Sequence, residues 1–154
     1  MKDFVAHRVR LDPTDEERSA LARVCGVVRL VKRLAVDQRR TFSRRGRPIT
    51  RGMQSSELKE LRAEWPWIGE IAQDFLAQAL IDVETAYSRF FSGLSGAPRP
   101  PRRSDASFRF PVRTNRGRVL EGGRLWIPKL GQVKVFFASS DPGRGSERYD
   151  LPRG

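Results

Sequence analysis

The residues of this chain that could do chemistry are its arginines. Lys and Arg number 30 against 18 Asp and Glu, a formal charge of +12, and 25 of the 30 are Arg. Two clusters stand out. Arg39, Arg40, Arg44, Arg45, Arg47 and Arg51 lie between 39 and 51 with no acidic residue among them. Arg99, Arg102, Arg103, Arg109, Arg113, Arg116 and Arg118 lie between 99 and 118 with Asp105 alone. A guanidinium is a planar fork of donors that matches phosphate oxygens. Like charges this dense repel unless a polyanion screens them, and a nucleic acid does so while releasing its counterions. A helix C-terminus also favours cations, and an Arg-for-Lys bias also follows from a GC-rich genome. Yet six charges exceed what a helix end needs, and the pattern predicts a nucleic-acid partner.

The inventory for catalysis is thin. His7 is the sole histidine and Cys25 the sole cysteine. Cys25 falls on an apolar helical stripe, the place of a small core hydrophobe. One cysteine excludes an internal disulfide and a multi-cysteine zinc site. There is no Gly-x-Ser-x-Gly elbow, P-loop or Gly-x-Gly-x-x-Gly, and Gly143-Arg144-Gly145 is a lone fragment. Asp12, Asp15, Glu16 and Glu17 gather at a helix start, where the macrodipole favours them. Asp74, Asp82 and Glu84 read as the solvated face of another helix. A metal-dependent nuclease needs carboxylates that converge, and these do not, so the expectation is a chain that is not an enzyme, with no metal, cofactor or small-molecule substrate. MKDFVAHRVRL lacks the apolar core of a signal peptide. No stretch approaches the roughly 18 apolar residues of a membrane span, so a cytoplasmic protein with no membrane partner is expected.

The elements that must position the arginines are legible from periodicity. Residues 4–11 alternate, with Phe4, Ala6, Arg8 and Arg10 against Val5, His7, Val9 and Leu11, which predicts a strand. Thr14-x-x-Glu17 is a capping box. It opens a helix to about residue 43 on the stripe Leu21, Val24, Cys25, Val28, Val31, Leu34 and Ala35. A shorter helix over 55–64, opened by Ser55 or Ser56, should close at Trp65-Pro66-Trp67. From 71 to 92 the stripe Ile71, Phe75, Leu76, Ala79, Leu80, Val83, Ala86, Tyr87, Phe90 and Phe91 predicts the centre of a helical bundle. Residues 93–104 read as a Gly/Pro/Arg linker without a packing pattern. Short β-like runs follow at 107–110, 123–127 and 132–137, the only available partners for the first strand. Phe108 and Phe110 beside Arg109 could form a base-stacking platform, although paired Phe on a strand reads first as core. Trp65, Trp67 and Trp126 are read as packing.

Several strings, in this order, resemble the TnpB-type (OrfB) proteins of bacterial insertion sequences. They are Val9-Arg10-Leu11-Asp12-Pro13-Thr14, Cys25-Gly26-Val27-Val28-Arg29-Leu30-Val31 with its Gly-x-x-Arg, and Glu64-Trp65-Pro66-Trp67-Ile68. Gln78-Ala79-Leu80-Ile81-Asp82 and Ala86-Tyr87-Ser88-Arg89-Phe90-Phe91 follow, then Pro98-Arg99, Ser107-Phe108-Arg109-Phe110-Pro111, and Ile127-Pro128-Lys129-Leu130-Gly131-Gln132-Val133-Lys134. Together they cover about 4–137. Three positions depart from the family pattern: Asp12 stands where an aromatic is usual, Arg33 where Asn is common, and Pro100 where Phe follows Pro-Arg.

The resemblance implies an α+β fold, a split OB-like β-barrel (wedge) interrupted by a helical recognition insertion, the latter known in older descriptions as a helix-turn-helix transposase domain. The implied divisions are 1–12 for the first wedge strand, 13–94 for the helical insertion, 95–106 for a basic Pro-rich linker, 107–138 for the remaining strands and 139–154 for a disordered tail. Full-length members are RNA-guided DNA endonucleases related to compact type V CRISPR effectors, and they cut with a later RuvC-like domain. The expectation is therefore a truncated, catalytically inert segment that binds DNA and structured guide RNA. Its candidate contacts are the two arginine clusters together with Arg8, Arg10, Lys129 and Lys134. The residues leave two alternatives open: a stand-alone helix-turn-helix DNA-binding regulator, which would act as a dimer on a palindromic site, and a gene remnant without function.

Overall fold

A computed structural model of the protein describes residues 9–44, 46, 48–111, 123–137 and 149–150. The fold is α+β, in the order β1 (Val9–Leu11), α1 (Asp15–Arg44), α2 (Arg51–Glu64), α3 (Pro66–Gly69), α4 (Gln73–Phe91), β2 (Ser107–Phe108), β3 (Arg124–Ile127), β4 (Gly131–Phe137) and β5 (Tyr149–Asp150). The chain divides into two compact units, residues 1–25 with 106–154, and residues 26–105. Among the described residues no helix is long and apolar enough to cross a membrane.

The first unit is built on a sheet with strand order β2-β5-β1-β4-β3. β1 lies in the middle, antiparallel to β4 (Leu11↔Val135) and parallel to β5 (Val9↔Tyr149). The late strands therefore do supply partners for the first. β3 and β4 form a hairpin from Arg124↔Lys134 to Ile127↔Gly131. Its turn places Lys129 at φ 63°, in the left-handed region that a side chain rarely adopts. The ends β2 and β3 are not paired with each other among the described residues, so this sheet is open rather than a closed barrel. Alternation sorts the faces as the sequence predicts: Val9 and Leu11 are buried while Arg10 between them is exposed. Leu125, Ile127, Val133, Phe108 and Phe110 are buried as well. At about 1.5–3 kcal/mol for each large apolar side chain taken from water, this row carries the unit. Tyr149–Asp150 form a strand inside the stretch expected to be a disordered tail. Two residues can pair through backbone amides alone, and they leave no periodicity to read.

The capping box exists as drawn. The Thr14 amide donates to Glu17 Oε1 at 3.0 Å, and the Glu17 amide donates to Thr14 Oγ1 at 3.3 Å. Thr14→Ala is expected to cost about 1 kcal/mol in denaturant unfolding; a change of only a tenth or two would contradict that role. α1 then runs 30 residues, about 45 Å at the rise of an α-helix. Its first eleven residues cluster with the sheet unit and the remainder with the helical one. Cys25 is buried, as expected.

In the second unit the bundle core is Val27, Val28, Val31, Ala35 and Val36 from α1, Leu58 from α2, Ile68 from α3, and Phe75, Leu76, Ala79, Leu80, Val83 and Tyr87 from α4. Three expectations need correction. Leu34 is 42 % exposed, while Val27 and Val36 take its place in the buried stripe, because α1 meets partners over a face wider than one row of i+3/i+4 positions. α2 begins at Arg51, four residues early, because Thr50 in extended conformation accepts the Met53 amide and caps it. Phe90 and Phe91 are exposed, the latter at 73 %. They continue the spacing past Tyr87, but nothing among the described residues covers that last turn.

Trp65 and Trp67 are corrected too: both are about half exposed, at 46 % and 50 %. Pro66 starts the four-residue α3 between them, and this turn buries Ile68 instead. Arg62 holds α3 in place, its Nη2 donating to the carbonyls of Gly69 (3.2 Å) and Ile71 (2.9 Å).

Candidate nucleic-acid interface

The arginines expected to contact a polyanion fall into three groups. Arg8, Arg45, Arg47, Arg113, Arg116 and Arg118 lie outside the described residues, as does the side chain of Arg44 at the end of α1. A second group is engaged within the fold. Arg39 turns inward: its Nε donates to Gln54 Oε1 at 3.1 Å and its guanidinium lies 5.6 Å over the Tyr87 ring. Arg51 pairs with Glu84 at 3.1 Å. Arg109 is half-buried between Phe108 and Phe110, whose rings stack at 6.2 Å and 22° inside the sheet unit's core. That placement removes them as an exposed platform for bases. Lys134 is exposed and 3.8 Å from Asp12. Arg10 and Lys129 are exposed on β1 and the β3–β4 turn.

Arg40, Arg99, Arg102 and Arg103 form the third group. All four are exposed, and among the described residues none is paired. Three of them share the basic segment, which is less free than a linker. The Asp105 amide donates to the Arg102 carbonyl at 3.0 Å, and the Arg102 amide donates to Asp105 Oδ2 at 2.8 Å. Residues 102–105 thus close on themselves in a turn whose tip is Arg103-Ser104. From α1, Arg29 Nη1 donates to the Asp105 carbonyl at 2.6 Å, and one turn on, Arg33 Nη2 reaches the Pro101 carbonyl at 3.5 Å.

Arg29, Arg33 and Asp105 were not singled out by charge density, since two are isolated arginines on a helix and the third interrupts a basic run. The available signal was the four-residue spacing of Arg29 and Arg33, which puts both on one helix face.

The buried polar centre of the helical unit lies beside Arg39. Gln54, 3 % exposed, donates from Nε2 to the Ala35 carbonyl at 3.1 Å and to Gln38 Oε1 at 3.3 Å. Gln38 in turn donates to Glu57. The Tyr87 hydroxyl donates to the Val36 carbonyl at 3.3 Å. Burial pushes that phenol above its ordinary pKa, while Arg40 and Arg39 pull it down. These groups tie helices together. Among the described residues no three His, Cys, Asp or Glu side chains are placed to hold a metal ion.

No family model matches the chain. Two curated proteins are similar to it. "Putative RNA-guided DNA endonuclease InsQ" of Escherichia coli (strain K12) is 28% identical over 138 residues, covering 87% of this chain and 34% of that protein. "Putative RNA-guided DNA endonuclease" of Streptomyces pristinaespiralis is 34% identical over 97 residues, 61% of this chain and 24% of its relative. The chain spans about a third of the length of the first and about a quarter of the second. Both matches are consistent with the resemblance to TnpB-type proteins read from the sequence.

Proposed function

We propose that this chain is a nucleic-acid-binding segment of the TnpB type, gripping guide RNA and DNA by their phosphates and leaving cleavage to other parts of such a protein. The observation that carries the reading is the segment 99–105, where Arg102 and Arg103 stand exposed on a closed turn tied to α1 and Arg99 stands exposed just before it. Among the described residues none of the three guanidiniums is in an ion pair, and phosphates relieve the repulsion between such clustered charges. The names of the two relatives give the polyanions their identity, an RNA guide and a DNA target. In this reading the sheet serves as the split OB-like wedge, residues 13–94 as its recognition insertion and 95–106 as the basic connection. The exposed Arg40, Arg10, Lys129 and Lys134 add contacts.

Titrating the purified chain against a labelled structured RNA and a labelled DNA duplex, over a salt series, tests this. Binding should weaken steeply and log-linearly with salt. Absence of binding to either probe at low salt sinks the proposal. Magnesium-dependent cutting of either probe sinks its claim that cleavage lies elsewhere. A dimer that prefers palindromic duplex over RNA would favour the stand-alone regulator instead.

A further inference from the structure

The only acidic residue between 99 and 118 ought, by charge alone, to weaken that segment for phosphates. Its placement says otherwise. Asp105 spends its carboxylate on the Arg102 amide and its carbonyl on Arg29. The side chain therefore closes the turn that displays Arg102 and Arg103, and the backbone at the same residue ties the turn to α1. Arg29 meanwhile points its donor at a carbonyl of the protein. From this we infer that Asp105 and Arg29 are positioning residues for the phosphate-binding turn: they hold its arginines in a ready arrangement and so lower the ordering cost that binding would otherwise pay. The inference deepens the nucleic-acid reading and rests on it. It assigns the turn Arg102–Asp105 to the sugar-phosphate backbone of the bound strand, because exposed guanidiniums on a fixed turn meet phosphates without selecting bases.

The consequence opposes simple electrostatics in sign. Asp105→Ala makes the chain more basic, which should tighten binding if the residue acts only through its charge. If it acts by closing the turn, Asp105→Ala weakens binding about five-fold, the size of a lost side-chain cap. Asp105→Asn keeps an acceptor oxygen in the same place and binds at least as tightly as the parent. The number of phosphates engaged is unchanged, so the salt slope of Asp105→Ala stays that of the parent while affinity falls at every salt concentration. A second pair is balanced for charge: Arg29→Gln should weaken binding more than Arg23→Gln, which removes the same charge from an exposed position on α1.

The probe is the labelled structured RNA, with helicity measured on every variant. Weaker binding by folded Asp105→Ala, rescued in Asp105→Asn, supports the inference. Folded Asp105→Ala binding as tightly as the parent, or more tightly, overturns it, as does equality of the two glutamine variants. Should Asp105→Ala fail to fold, the glutamine pair decides. The nucleic-acid reading fails separately, and takes the inference with it, if the unmutated chain does not bind, or if removing Arg99, Arg102 and Arg103 together leaves binding unchanged.

Discussion

Replacing Arg99, Arg102 and Arg103 together with alanine is expected to lower affinity for a labelled RNA or DNA duplex by on the order of a hundred-fold at moderate salt, and to flatten the salt slope by about three. Each exposed guanidinium that neutralises a phosphate releases close to one counterion, so the two readouts are linked. Losing contacts without losing slope would mean that the arginines act on something other than phosphates. The triple variant should keep its stability, because none of the three side chains is paired among the described residues. Surface substitutions of that kind usually stay within about 0.5 kcal/mol. An unchanged affinity would remove the segment from the interface altogether.

The largest expected loss of stability lies at a residue with no charge. Gln54→Ala should cost about 3 kcal/mol in urea unfolding of the whole chain. The substitution deletes the acceptor of Arg39 Nε and the donor to Ala35 and Gln38, all in one buried place. Arg39 already has a buried Nη2 with no hydrogen-bond partner, so it is ill placed to lose another. A stranded donor in a low-dielectric interior carries its full desolvation cost. A loss under about 1 kcal/mol would show that water or a rearranged neighbour replaces the glutamine. The same geometry separates two adjacent arginines. Arg39→Ala should lower the midpoint of unfolding and leave the salt slope of binding alone, and Arg40→Ala should do the reverse.

That separation marks the limit of what could be read before the fold was known. Arg39 and Arg40 belong to one basic run and look alike in sequence, and which of them faces Gln54 depends on how α1 lies against α2. The elements themselves were more legible. The capping box at Thr14, the stripe from Ile71 to Tyr87 and the alternation at Val9–Leu11 are local patterns set by backbone period, and each appears in the structure. Boundaries set by a single cap, such as Thr50 before α2, were missed because Ser55 and Ser56 offered the same chemistry. Trp65 and Trp67 were misread because aromatic size suggests burial, while a proline turn between them decided which side chain went inside. The clamp at Asp105 was invisible for another reason: it joins residues 76 apart in sequence through a backbone carbonyl, which has no residue type to recognise.

The position of β1 in the sheet bears on how the molecule comes to be folded. The first strand is the central one, and the residues it pairs with, Phe137, Val135, Tyr149 and Asp150, leave a ribosome more than 120 residues after it. Loops this long add little to equilibrium cost, since each doubling is worth only about 0.6 kcal/mol, but non-local pairing slows folding. The helices from 51 to 91 depend on near neighbours and can settle during synthesis, while the apolar side of β1 waits for its flanks. Until β4 and β5 emerge, Val9 and Leu11 present an unpaired strand to the surroundings, and that interval is when a chain of this topology is most exposed to aggregation.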